Sequence, residues 1–292
     1  MANEKSFEHK GRTIRADIRT SATPQQAWEA WADPEKISGW FVDRASGEGK
    51  TGGTMTWFFD SFGYVLPYKV VESIPGQLFV LKWQPPQGDV GILEIQIARE
   101  GGETVVRLIN SGFREDAQWD EEYEGTVSGW RMALALLKEY LENYFGRGKK
   151  TLLIIRPAAF TYQQLREYFV DSSKLAQWLS TSGSIGKVED SCKLALRDAG
   201  MLTGRVLAVT EWEVALSWKE IGGTLELKGF AMGPQRLLGV RVMSWALDGA
   251  GAKRLEGQLG PSVERLAALF PATAAAAGAG AEQRKEPFEK RP

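Results

Sequence analysis

Cysteine and histidine are almost missing: the chain of 292 residues holds one of each. A lone Cys192 excludes an internal disulfide, and without a Cys/His cluster there is no zinc site. Cys192 therefore reads as a free structural thiol. His9 stands in a polar N-terminal arm, where a general base would lack both a partner and a cleft. No apolar run approaches the ~20 residues of a membrane span, and the opening MANEKSFEHKGRTIRADIRT has no signal-peptide core. A cytoplasmic protein without a cofactor or membrane span is expected. Positive charge is not in excess either: 36 Lys+Arg face 37 Asp+Glu, and phosphate binding wants a basic face, so nucleic acid is not an expected partner. The first half is acidic and the second basic, so oppositely charged surfaces could attract. No nucleophile elbow, P-loop or dinucleotide fingerprint occurs.

Tryptophan, by contrast, is plentiful. Eleven are spread through the chain, several at strand or helix positions, where large flat apolar surfaces are buried or offered to a ligand. From Arg12 to Thr20 apolar and charged residues alternate, as in a half-buried strand. Thr23 can cap a helix with Pro24 at its first position, and Asp33 a second short helix leading to Ile37, Trp40 and Phe41. Five β-prone runs follow between turn signals, at 54–60, 64–71, 78–83, 91–98 and 104–110, and read as an antiparallel meander. From Gln118 to Phe145 the period is helical, with Tyr123, Trp130, Leu134, Leu137 and Leu141 on one face. Helices gathered against an antiparallel sheet make the fold class α+β.

The pattern then repeats. AWEAWADPEKISGWF at 27–41 aligns with LREYFVDSSKLAQWL at 165–179, so that Gln25, Gln26, Glu29, Asp33, Lys36 and Trp40 meet Gln163, Gln164, Glu167, Asp171, Lys174 and Trp178. An apolar strand at 151–156 precedes the second copy. Strands at 202–209, 214–219, 224–228 and 238–247 and a helix at 253–270 follow, with Gly257 and Pro261 expected to kink or shorten that helix. Each copy has strands enough for its own core, so this is a domain duplication and not a solenoid. The expected domains are 12–146 and 150–270, with 271–292 a disordered tail whose Ala272–Ala277 is at most transiently helical.

The stretch from Thr23-Pro24 through Trp28, Trp31, Asp33-Pro34 and Trp40-Phe41 resembles the opening of the heat-shock chaperone ATPase activator homologue family, within the START-like, birch-pollen-allergen-like (SRPBCC) superfamily. Tyr68–Trp83, Thr104–Gly112 and the Gly129-Trp130 entry to the last helix carry the same resemblance; the second copy lacks the Asp-Pro step and the Gly-Trp entry. The resemblance implies two tandem helix-grip domains, each a curved antiparallel sheet around a long C-terminal helix. Members of the superfamily often enclose an apolar cavity, some are cyclases or aromatases, and others bind a chaperone. No catalytic residue carries over.

A candidate pocket in the first copy draws on alternating strand residues, Trp57, Phe59 and Tyr68, then Phe79, Leu81 and Trp83, then Leu93 and Ile95, with Trp130 and Leu134 on the facing helix. The other reading of the same residues is a solid core. Trp40 and Trp178 are expected to be buried in packing the second short helix of each copy. Asp116, Asp120, Glu121 and Glu124 fall about a helical turn apart; an acidic helix start offsetting the dipole explains them better than a hard-cation site. The leading expectation is a non-catalytic protein that binds a hydrophobic or lipid-like small molecule. The alternative is a co-chaperone-like interaction protein, with a chaperone or a second copy as partner. The third is a cyclase- or dehydratase-type enzyme on a polyketide-like substrate, for which Tyr68, Tyr123 and Arg107 are the polar groups expected to point inward.

Overall fold

The same local devices start the short helices of both copies. In the computed structural model, which describes residues 10–83, 90–232 and 235–272, the Thr23 hydroxyl accepts from the Gln26 amide and the Gln26 side chain accepts from the Thr23 amide. This capping box opens α1 (Pro24–Ala32). Thr161 and Gln164 make the same box at the start of α4 (Tyr162–Val170). Asp33 then caps α2 (Pro34–Ser38) by accepting from the Glu35 amide at 2.7 Å, and Asp171 caps α5 (Ser172–Trp178) through the Ser173 and Lys174 amides. The repeated Gln and Asp residues are thus helix-start chemistry. Trp40, just beyond α2, and Trp178, the last residue of α5, are both buried, as expected.

The first copy runs β1 (Arg12–Thr20), α1, α2, β2 (Arg44–Gly47), β3 (Thr54–Phe59), β4 (Tyr64–Ile74), β5 (Leu78–Trp83), β6 (Gly91–Glu100), β7 (Glu103–Phe113) and α3 (Asp120–Asn143). The second runs β8 (Lys150–Pro157), α4, α5, β9 (Ser180–Ser182), β10 (Ser191–Leu196), β11 (Gly200–Val209), β12 (Glu213–Trp218), β13 (Gly223–Met232), β14 (Gln235–Ser244) and α6 (Gly249–Leu269). Each sheet has seven antiparallel strands, in the orders β1-β7-β6-β5-β4-β3-β2 and β8-β14-β13-β12-β11-β10-β9. Element for element these are the same topology, so the chain is a tandem pair of α+β helix-grip folds.

Three strands escape the sequence patterns. β2, β9 and β10 are short, and β2 and β9 lie at sheet edges where one partner strand suffices. Cys192 falls on β10, where burial pushes its thiol up to about 11. The expectation that Gly257 and Pro261 shorten the last helix does not hold: α6 runs from Gly249, capped by Asp248, to Leu269. Pro261 removes only the one amide bond to residue 257, which is itself a glycine and leaves the backbone room to adjust. β14 also ends three residues before the expected strand does, because Ser244 turns the chain by accepting from the Leu247 amide. From residue 273 the expected tail lies outside the described residues, as does His9.

Backbone contacts divide the chain into two compact units whose border falls inside α3, between Val127 and Ser128; Gly39–Phe41 and Ser61–Gly63 go with the second unit. In the first unit, register aligns the side chains along one face of the sheet. Trp57 pairs with Leu66, Val70 with Leu81, Phe79 with Ile95, and Ile95 with Leu108. In the second unit Leu255, Leu259, Val263 and Leu266 of α6 share a core with Leu165, Phe169, Trp178, Leu216 and Leu225. Every residue of β12 is buried, so this part of the sheet is covered on both faces. The later part of α3 is buried beyond the expected stripe, at Ser128, Met132, Leu136 and Tyr140 as well as Leu134, Leu137 and Leu141. Within the second unit the Ser128 hydroxyl donates to Thr210, Arg205 pairs with Glu139, and Tyr144 stacks on Trp245 at 4.3 Å. No helix among the described residues is long and apolar enough to cross a membrane.

Candidate functional site

The aromatic face expected in the first copy consists of residues that do share a side of the sheet. Met55 pairs with Tyr68 and Trp57 with Leu66, which places Trp57, Phe59, Tyr68, Phe79, Leu81, Trp83, Leu93 and Ile95 in phase across β3 to β6. Trp57, Phe79, Leu81, Leu93 and Ile95 are buried, and so is Leu134; Phe59, Tyr68, Trp83 and Trp130 keep part of their surface exposed. Trp57 and Tyr68 bring their ring centroids to 4.5 Å, and Phe59 stacks on Tyr64 at 4.8 Å. Trp130 stacks on Phe41 at 5.5 Å, and with Leu134 it lies on the part of α3 that belongs to the second unit.

The polar groups expected on that face fare differently. Burial, with Tyr64 nearby, pushes the Tyr68 hydroxyl well above its ordinary 10.0, so it stays protonated. Tyr123 donates to the Thr13 carbonyl at 3.2 Å and carries the Arg12 guanidinium over its ring at 4.6 Å. Arg107 points the other way. It pairs with Asp17 and Gln96, out of phase with Leu108 and Ile95, and binds Glu100 at 2.5 Å. A one-residue step along a strand reverses the face, and the sequence alternation around Arg107 left that step open. Asp120 is taken up by Arg12 at 2.5 Å, and among the described residues no group of His, Cys, Asp or Glu side chains is placed to hold a metal.

A cleft of about 260 Å³ opens in the second copy, between the first turns of α6 and the ends of β11 and β12. Its apolar floor is Met201, Trp218, Ile221, Leu247 and Leu255; Glu220, Arg254 and Gln258 stand at its polar rim, and Ala199 and Gly251 complete it. The Trp218 indole is fixed by donating to the Met201 carbonyl at 3.0 Å and lies buried beneath the cleft. The far corner is tied by Ser244, whose hydroxyl donates to the Ile221 carbonyl at 2.6 Å and accepts from the Leu247 amide at 3.0 Å. Gly222 makes the turn beneath it with φ of 53°, where a Cβ would meet the Ala246 Cβ at 2.8 Å. Glu220 accepts from the Thr203 amide at 2.9 Å and hydroxyl at 2.7 Å. Partial burial would raise its carboxyl, but the Thr203 donors and Lys219 hold it below its ordinary 4.5, so it is ionised. Met201 leaves 40% of its surface exposed inside this rim, an apolar side chain offered to a ligand. Sequence reasoning missed this site because Met201, Ile221, Leu247 and Leu255 come from four separate segments, and no spacing announces that they meet.

Residues 21–142 match the model of the family described as Activator of Hsp90 ATPase homolog 1-like protein. No curated protein matches the chain. Among solved structures, the Aha1 dimer from Colwellia psychrerythraea is 22% identical, covers 45% of this chain and 96% of its own, and has a TM-score of 0.40. Protein SSP2350 from Staphylococcus saprophyticus is 25% identical, covering 44% and 91%, with a TM-score of 0.39. The di-domain ARO/CYC BexL from the BE-7585A biosynthetic pathway is 12% identical but covers 96% of this chain and 100% of its own, with a TM-score of 0.42. Likenesses of this degree carry no argument about activity. The match over 21–142 takes in the Thr23–Phe41 opening and the Gly129-Trp130 helix entry, so the first copy of this chain is similar to the activator of Hsp90 ATPase homologue-like family along most of its length.

Proposed function

We propose that the chain is a binding protein for a small, largely apolar molecule, and that the second copy, residues 150–270, holds it in the cleft beneath α6. The observation that carries this reading is the cleft's floor: five apolar side chains from four segments converge there, with Met201 open to a ligand and Trp218 held rigid by its hydrogen bond. Burying apolar ligand surface there supplies about 25 cal/mol per Å². The volume lies below the ~300–1,000 Å³ of drug-sized sites, so a single-ring or short-chain ligand fits better than a sterol or a folded polyketide. The aromatic face of the first copy, from Trp57 to Ile95, is a lesser candidate, because most of its side chains already fill the core.

Titration calorimetry of the full chain with a neutral one-ring probe, 3-phenylpropionamide, tests the reading. One molecule is expected to bind per chain, and Met201→Trp, which crowds the cleft from an exposed position, is expected to weaken binding at least tenfold. Failure to bind, or binding indifferent to Met201→Trp, removes the reading.

The family match of the first copy supports a second reading, a co-chaperone-like protein acting through its surface. Addition of the purified chain to an Hsp90 ATPase assay separates the two: stimulation favours this reading, and an unchanged rate leaves the binding protein. A cyclase-type activity has less support, since Tyr123 and Arg107 are engaged elsewhere and the Glu220 carboxylate is already satisfied by Thr203.

A further inference from the structure

The rim of the cleft is chemically lopsided. Arg254 lies on the exposed side of α6, one turn beyond the start of the helix, and lines the cleft without an ion pair or hydrogen bond among the described residues. The facing charge, Glu220, is in the opposite condition. Its carboxylate oxygens accept from the amide and the hydroxyl of Thr203, so they are engaged there and not with Arg254, although Glu220 stays ionised. A second cation, Lys253, precedes Arg254 on an exposed part of the same turn. The first turn of α6 adds the positive end of the helix dipole, partly offset by the Asp248 cap. One guanidinium with a vacant fork above an apolar floor is an arrangement suited to a carboxylate, which guanidinium groups bind through paired N–H donors.

We propose that the ligand of this cleft is a small organic monocarboxylate with an apolar, single-ring or short branched body, its carboxylate held by Arg254 and its body laid against Met201, Ile221 and Leu247. The inference rests on the cleft being a binding site, and adds the charge of what it binds. Volume limits the body to about one ring, and the position of Arg254 at the rim leaves the carboxylate at the mouth, in contact with water. A rim ion pair in that setting is weakened by salt, whereas the apolar contact is not.

The experiment compares 3-phenylpropionate with the isosteric 3-phenylpropionamide and with 3-phenylpropylamine, by calorimetry on the full chain at low and at high salt. The acid is expected to bind at least tenfold more tightly than the amide, with the amine weakest, and the advantage of the acid is expected to shrink as salt rises. Arg254→Gln is expected to bring the acid down to the affinity of the amide while leaving the amide unchanged. Because Arg254 is exposed, the variant is expected to keep the melting temperature of the parent. Equal binding of acid and amide, tighter binding of the amine, or an acid advantage that survives Arg254→Gln overturns the carboxylate while leaving the apolar cleft standing. If none of the three compounds binds, the cleft reading and the carboxylate fall together.

Discussion

Glu226 is a fully buried carboxylate in the middle of the second sheet. It accepts from Arg241 at 2.6 and 2.8 Å and lies 3.4 Å from Lys228, which is in turn hydrogen-bonded to Glu213. Burial alone would raise the Glu226 carboxyl; Arg241 first and Lys228 second overcome that and hold it below its ordinary 4.5. A depressed carboxyl contributes stability that is present above its unfolded value and lost as the pH falls through its folded value. Glu226→Gln is therefore expected to cost about 3 kcal/mol at neutral pH, the size typical of breaking one side of a buried pair. In chemical denaturation the parent and variant curves should converge as the pH drops well below 4.5. A constant gap between them at all pH values would show that the carboxylate's charge is not what matters. None of this was visible in the sequence, where no spacing shows that Glu213, Glu226, Lys228 and Arg241 meet. Only the pairing of β12 with β13 and of β13 with β14 puts them side by side. By contrast Thr23, Asp33, Trp40 and Trp178 were legible, because caps and the anchors beside them act within a few residues of chain.

At the scale of elements, helix starts and the longer strands were readable, and helix interiors less so. β1 and β5 match their expected spans, and α1 begins where Thr23 and Pro24 say it should. α6 was underestimated because Pro261 and the glycines around it argue locally against a helix. Its apolar stripe, Leu255, Leu259, Val263 and Leu266, is nevertheless buried in the shared core, and burial at ~1.5–3 kcal/mol per large side chain outweighs a local propensity cost. Pro261 itself is exposed, so its methylenes contribute little packing. Pro261→Ala restores one backbone amide and is expected to raise stability by about 1–3 kcal/mol, read as a higher urea midpoint with an unchanged m-value. An unchanged midpoint would mean that the helix has already adjusted around the missing bond at no cost.

For the whole molecule, the position of the unit border within α3 has a consequence for folding. Residues from Ser128 onward count with the second unit, where Ser128, Glu139 and Tyr144 meet Thr210, Arg205 and Trp245. A fragment of the chain starting at Lys150 lacks all three. It is expected to be markedly less stable in thermal unfolding, followed by circular dichroism, than a fragment starting at Ser128. Equal melting temperatures would mean that these contacts add nothing to the second unit. The sequence repeat, with its short Gly146–Lys150 junction, suggested a border at the junction itself; a pattern of apolar spacing shows that a helix has a buried face but not how much of its circumference is covered.

Composition, capping residues and the internal repeat were enough to determine the duplication, the α+β class, the order of the longer elements and the resemblance of the first copy. All of these depend on interactions between residues close in the chain or on a pattern compared with itself. Tertiary structure alone decided that Arg107 faces away from the aromatic surface, that four charges on three strands form one buried cluster, and that an apolar cleft rimmed by Arg254 opens in the second copy. Each of these turns on register or on the meeting of distant segments. Side-chain direction reverses with a single residue of slip, and contacts between distant segments leave no period in the sequence to be read.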